Sequence, residues 1–421
     1  MDQTHIEWEQ VWPASNAAMV DAGRHHDAAF HDSGDLRAFL SEAVQADESV
    51  TLVVNDPYRS TQTRTAMQAM SRLVRQSSQL TGLRFRVLVA TGTHQVPRSR
   101  QREFEARELS DTGLRCVGVR WHDAKDARNL VNVGGLHFHQ WLAESRFLLP
   151  IGSVEPHYFA GLTGPHKTVT IGCLSHADIE RNHFLALHPD SDPMRLEGNP
   201  VYDGVADMVR GLESAGKKIC CVAQVTNGEN LLRVAVGDCL MTLHDLSPLV
   251  RETYGRAIGA PVDVLHLRVC PPLSHNLYQA DKALKNNHRA VRNGGAIILE
   301  SDCQEGVGPS QFLRLLRESR DYVSACHMVT RDGYRLGDHK AVKIRHLTDP
   351  ACRGVKVVIV SPHLDPGDVE GTGLDVCPNV NDAIARLGDV PGSAAAKGLV
   401  VEDAAMMCVT AESEESRQEG S

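Results

Sequence analysis

The densest run of reactive side chains extends from Gly152 to Lys167, reading Gly-Ser-Val-Glu-Pro-His-Tyr-Phe-Ala-Gly-Leu-Thr-Gly-Pro-His-Lys. Small residues there would let the backbone approach a ligand closely, as a phosphate-binding loop does. The spacing of a nucleotide P-loop is absent, however. His157 offers proton transfer or metal ligation near neutral pH. Lys167 offers a cation or an amine. Taken alone, the same residues read as a hydrogen-bonded loop histidine and a solvated surface lysine. Four further segments change that balance. Asn55-Asp56-Pro57-Tyr58-Arg59 sets a guanidinium three residues after a carboxylate. Thr91-Gly92-Thr93-His94 places a histidine on a glycine turn, and His183 follows Lys167 by sixteen residues. In Tyr278-Gln279-Ala280-Asp281-Lys282, Gln279 and Lys282 are three apart, on one face if the segment is helical.

Elements able to position these groups are legible as periodic patterns. Val50–Val54 is a buried-strand run, followed by helical spacing of Met67, Met70, Leu73 and Val74 over 61–76. Phe85–Ala90 runs into the His94 turn, and further strands are expected at 116–119, 147–151, 219–225 and 232–236. A second unit repeats the alternation, with strands at 262–269, 294–299 and 355–360 and helices at 280–291, 311–318 and 380–387. The fold class is α/β, two domains with mostly parallel sheets and the active site in the cleft between them. The boundaries expected are 1–255, 256–410 and a disordered acidic tail, 411–421. Ligands of such sheets gather at the carboxyl ends of strands, and Asp56, His94 and Gly152-Ser153 all follow one.

Composition narrows the classes. Among 421 residues there are 44 basic and 53 acidic side chains, a net charge of −9, which argues against a nucleic-acid partner. Histidine is abundant, at 21, beside 5% aromatic residues. Eleven scattered cysteines without a Cys-x-x-Cys pair suggest small core residues in a reducing compartment. No signal peptide or apolar membrane span is evident, so a cytoplasmic protein without a membrane partner is expected.

Together the five segments resemble, in order and over roughly residues 50 to 310, the nickel-pincer lactate racemases and their 2-hydroxyacid racemase and epimerase relatives. The resemblance implies that His94 and His157 are the acid/base pair. It implies that Lys167 tethers a nickel-pincer nucleotide, a pyridinium-3-thioamide-5-thiocarboxylic acid mononucleotide, and that His183 ligates its Ni(II). Tyr278 would contact the cofactor, while Asp56, Arg59, Gln279 and Lys282 would serve a small 2-hydroxy acid. Cofactor biosynthesis and loading enzymes are implied as partners. The chemistry implied is inversion at carbon 2 by hydride transfer, with one imidazole for each hydroxyl orientation. Malate, a longer 2-hydroxy acid or a sugar acid are alternative substrates to lactate. One departure is His166, an extra basic group beside Lys167 where the family usually has proline. The segment 300–308 reads either as a cofactor-side loop or as a plain turn. An NAD-dependent dehydrogenase would need a strand–GxGxxG–helix fingerprint, which is missing. A noncatalytic carboxylate- or metal-binding protein would have no need of both bases, the lysine and the nickel histidine.

Overall fold

The computed structural model describes residues 6–14, 21–309, 311–387 and 396–411. Two mostly parallel sheets form its frame. The first has seven strands, in the order Asn230–Gly237, Cys221–Asn227, Phe147–Ser153, Val50–Asn55, Phe85–Ala90 and Cys116–Trp121, with Lys218–Ile219 beside Phe147–Ser153. Its inner strands, Val50–Val54 and Phe147–Ser153, are buried along their length, as parallel strands covered on both faces must be. The second sheet has six parallel strands: Ile6–Val11, Ala396–Val401, Val262–Arg268, Val291–Glu300, Lys356–Val360 and Asp375–Cys377.

Successive strand residues face opposite sides of a sheet, so neighbours in sequence feed different cores. Val53, Leu88 and Leu148 join Leu265, Ile297 and Leu299 in one apolar cluster that runs between the sheets. Their immediate neighbours Leu52, Val87 and Leu149 face a second cluster, and Val264 and Ile298 a third. The two units are therefore packed through a shared interior.

Several boundaries differ from the sequence reading. Ile6–Val11 pairs with Ala396–Val401, so this early segment joins the second sheet although 1–255 was expected in the first unit. The helix expected at 280–291 spans Leu277–Asn287, and Val291 opens a strand instead. At 311–318 only Arg314–Glu318 is helical, preceded by a turn. The strand expected at 219–225 is interrupted at Cys220. Ala411 ends a strand, and the rest of the expected disordered tail, 412–421, lies outside the described residues. All eleven cysteines are free thiols, and seven of them are buried.

The three strands that carry the first sheet's chemistry end at one rim. Asn55 is level with Ala90, and Val54 with Ile151. Asp56, the Thr91–His94 turn and Glu155 consequently leave the sheet side by side. Gly92 turns the chain at φ +56°, a conformation glycine adopts without strain. Gly152 and Ser153 are the last residues of their strand rather than a loop. A Cβ on Gly152 would lie 2.8 Å from Thr168 Oγ1 and 3.0 Å from Asn55 Oδ1. The absent side chain lets the short helix Pro165–Val169 lie directly on the rim, where Asn55 donates to Thr168 Oγ1 at 2.9 Å. Among the described residues no helix is long and apolar enough to cross a membrane.

Candidate active site

Asp56 is buried and both its oxygens are engaged. Oδ1 accepts the Tyr58 N–H at 3.0 Å, and Oδ2 lies 2.7 Å from His94 Nδ1. A carboxylate only accepts at neutral pH, so the His94 ring proton sits on Nδ1 and the Nε2 lone pair is free. Gln279, from the Leu277–Asn287 helix, brings its amide nitrogen to 3.5 Å from that Nε2. Tyr58 packs edge-on to His94 at 5.5 Å. Asp56 thus orients the histidine rather than Arg59. Arg59 is held by Glu155, at 3.2 Å, a carboxylate the sequence reading passed over. Glu155 is 3% exposed and also accepts from the Ser60 N–H, the Ser60 hydroxyl and the Ser153 hydroxyl. Those donors offset the cost of burying its charge. The one sequence signal for Glu155 was its place inside the Gly152–Lys167 run.

His157 has the opposite tautomer to His94. The Ala160 N–H points at its Nδ1 at 3.3 Å, and Lys167 Nζ lies 3.1 Å from Nε2. With Nδ1 accepting, a neutral ring carries its proton on Nε2 and donates it to an unprotonated amine. Electrostatics agree. Burial, and then Arg59, push Lys167 well below the ordinary lysine range; burial and then Lys167 push His157 well below the ordinary histidine range. Lys167 is on the Pro165–Val169 helix and 7% exposed, which corrects the reading of it as a solvated loop lysine.

His166 does not add a basic group. It is fully buried, faces Tyr202 at 6.0 Å, and has no hydrogen-bond partner on either ring nitrogen among the described residues. Burial lowers its pKa to about 3, so it is a neutral imidazole. His183 sits in the last turn of the helix His176–Phe184, edge-on to Phe159 at 4.9 Å. Burial, and then Lys167, hold it well below the ordinary histidine range, and its buried Nδ1 has no partner among the described residues.

Lys282 is 9% exposed and has no ion pair or hydrogen bond among the described residues. Its pKa falls well below the lysine range through burial and then the field of Arg59. Lys167, Arg59, Lys282 and His183 all lie close enough to His157 to oppose its protonation. Tyr278 is raised to about 12 by burial, and its ring lies 4.3 Å from the ammonium of Lys340, which also donates to its carbonyl. The loop 300–308 acts as structural support: Gly306 and Val307 carbonyls accept the Leu277 and Tyr278 N–H groups. A cleft of about 1430 Å³ reaches His94, Tyr278 and Gln279 from outside. His157, Lys167, Arg59, Lys282 and His183 are not part of its lining. The structure therefore brings the nine residues singled out by sequence together from the first sheet's rim and the Leu277–Asn287 helix, with Glu155 and Lys340 added.

Such a place can bind an anion on Arg59 and Lys282, exchange protons at two imidazoles and offer one amine as a nucleophile. Among the described residues no three or more His, Cys, Asp or Glu side chains could together hold a metal. A metal at His183 would take its remaining donors from a bound organic group.

Comparison with known proteins places the chain in a family. Residues 34–193 match the lactate racemase N-terminal domain, and 264–409 match the lactate racemase C-terminal domain. A lactate racemase from Thermoanaerobacterium thermosaccharolyticum is 23% identical over 292 residues, and one from Lactiplantibacillus plantarum is 23% identical over 293. These matches cover 67% of this chain and 66% of each relative, just under two thirds of the curated relatives' length. The lactate racemase apoprotein from T. thermosaccharolyticum superposes with a TM-score of 0.78 at 20% identity, covering 93% of each chain. A Thermotoga maritima protein does so at 0.70 and 15% identity, covering 94% of this chain and 99% of its own. With both family domains matched across well over half its length, the chain belongs to the lactate racemase family.

Proposed function

We propose that this protein inverts carbon 2 of a small 2-hydroxy acid, lactate or a close analogue. The observation that carries the reading is the opposite pairing of two imidazole Nδ1 atoms, a carboxylate at His94 and an N–H at His157, from which a lone pair on His94 Nε2 and a proton on His157 Nε2 follow. An inversion through a planar 2-keto acid needs one base to take the hydroxyl proton and one acid to return it on the other side. Either enantiomer is served by exchanging the roles.

Arg59 and Lys282 bind the carboxylate, which stays anionic throughout. Glu155 presets Arg59, and Lys282 is a buried amine with no carboxylate partner among the described residues, which a bound carboxylate would hold in its protonated form. A guanidinium clamp fixes a carboxylate with two parallel hydrogen bonds, leaving the 2-hydroxyl to the imidazoles. Gln279 brings its amide to His94 Nε2 from the second unit.

The residues also fit a nickel-pincer nucleotide. Lys167 supplies an unprotonated amine for attachment, and His183 a neutral imidazole suited to Ni(II). When bound, that group supplies an electrophilic ring able to accept hydride from carbon 2 and give it back. The chain's own residues bind the acid, orient it and carry the hydroxyl proton.

The test is direct. Protein co-expressed with the cofactor's biosynthetic enzymes is given each enantiomer of lactate, malate and a sugar acid separately. The expected result is convergence of at least one pair to the same mixture, at a carbon-2 centre, from both sides. No interconversion by protein carrying both the Lys167 adduct and about one nickel per chain would overturn the reading.

A further inference from the structure

Behind His157 lies a stack of three rings. His157 and Tyr158 are 5.1 Å apart at 18°, and Tyr158 and His339 are 6.0 Å apart at 19°. His339, on the helix Asp338–Thr348, is 1% exposed and uses both ring nitrogens. Nε2 is 2.9 Å from the Tyr158 hydroxyl and Nδ1 is 2.6 Å from the Tyr334 hydroxyl. Lys340, the next residue, holds its ammonium 4.7 Å from the Tyr158 ring and donates to Asp281 at 3.1 Å. Tyr158 is thereby gripped at its hydroxyl and across its face by a helix some 180 residues downstream. Phe159 meets the rings of His157, His183 and His339 edge-on at 4.5, 4.9 and 5.0 Å.

The restraint on His157 itself is thin. Its two polar contacts are the Ala160 N–H and the Lys167 amine. The amine is the group that the proposed attachment consumes, so in loaded protein it no longer offers a lone pair. What then holds the imidazole is the Ala160 N–H, the edge of Phe159 and its stacking on Tyr158.

We infer that His339 is a positioning residue for the acid/base histidine: through the Tyr158 hydroxyl it fixes the ring on which His157 stacks. The inference rests on the proposed role of His157. A neutral imidazole has one donor and one acceptor, so one hydroxyl donates to His339 while the other accepts from it, and both stay engaged. Docking of the second unit is in this way tied to the geometry of a group in the first. A misplacement of about 1 Å can cost on the order of 100-fold in rate.

The test uses His339→Ala, His339→Gln, Tyr158→Phe and, as a control in the same helix, Val342→Ala, which removes buried apolar volume. In loaded protein, His339→Ala and Tyr158→Phe should each lower kcat by roughly 10- to 100-fold, with KM, nickel content and Lys167 adduct mass unchanged. The double variant should be little worse than either single one, because both cut the same link. His339→Gln, whose amide also donates and accepts, should recover most of the loss and serves if His339→Ala fails to fold. The second readout needs no activity. In unloaded protein labelled with ¹⁵N-histidine, the His157 signals, assigned by their loss in His157→Gln, should shift in His339→Ala and stay in place in Val342→Ala. An unchanged kcat, an equal loss in Val342→Ala, or unmoved His157 signals would overturn the inference. If the parent interconverts no 2-hydroxy acid while the signals shift, the proposed reaction fails and the positioning stands.

Discussion

The imidazole of His157 and the amine of Lys167 meet at 3.1 Å, ten residues apart in the chain and both buried. Since Nδ1 of the ring already accepts from Ala160, the amine is the acceptor of this hydrogen bond and carries no positive charge.

That relationship fixes the sign of a stability effect. Folding must strip a proton from Lys167, whose folded pKa is lowered while its unfolded pKa is near 10.4. Below that unfolded value the unfolded chain binds more protons, so the group lowers stability, and the penalty shrinks as pH rises towards it. Lys167→Met keeps the volume and removes the penalty. Unloaded Lys167→Met should be at least as stable as the parent at pH 7, with the difference fading near pH 10, and should form no covalent adduct. Denaturant unfolding at both pH values and intact mass check this; a variant far less stable at pH 7 would contradict it.

Asp56→Asn should leave the fold intact and cut turnover by about 10²–10⁴-fold. An amide no longer demands the proton at His94 Nδ1, so the Nε2 lone pair is lost from part of the population. Steady-state kinetics beside a thermal melt separates this from unfolding, and a turnover within threefold of the parent would remove Asp56 from the role.

Glu155→Gln should raise KM more than it lowers kcat. Arg59 loses its countercharge while its amide replacement can still accept from Ser60 and Ser153. Destabilisation of about 1–3 kcal/mol is expected from the uncompensated guanidinium. Kinetics and unfolding on one preparation measure both, and an unchanged KM would mean that Arg59 does not clamp the substrate.

His183→Ala should retain the Lys167 adduct and lose nickel. The described side chains offer no cluster that could hold a metal in its place. Intact mass and metal analysis read the two independently, and full nickel retention would relieve His183 of the assignment.

The strands and the residues directly after them were legible because their signals are local. The apolar runs at 50–54, broken only by Thr51, and at 147–151, with the glycine turn before His94, specify structure within a few residues. Glu155 and His339 were not, because their roles depend on partners 96 and 181 residues away. The burial of Lys167 was missed for a related reason: a lysine after a Gly-Pro turn looks solvated until Gly152 lets its helix lie on the sheet rim. The orientation of His166 was decided by packing against Tyr202, which no local pattern records. The strand Ile6–Val11 pairs with residues nearly 400 positions downstream, beyond any reading of neighbouring periodicity.

The most direct test of the central claim follows the hydrogen on carbon 2. If His94 and His157 carry only the hydroxyl proton, that hydrogen leaves and returns without meeting water. Loaded protein acting on unlabelled substrate in heavy water should then yield inverted product with almost no deuterium at carbon 2. Substrate deuterated there should keep its label and react more slowly. Extensive solvent deuterium at carbon 2 of the product would contradict the account, since it would make the two histidines abstract the carbon-bound proton themselves.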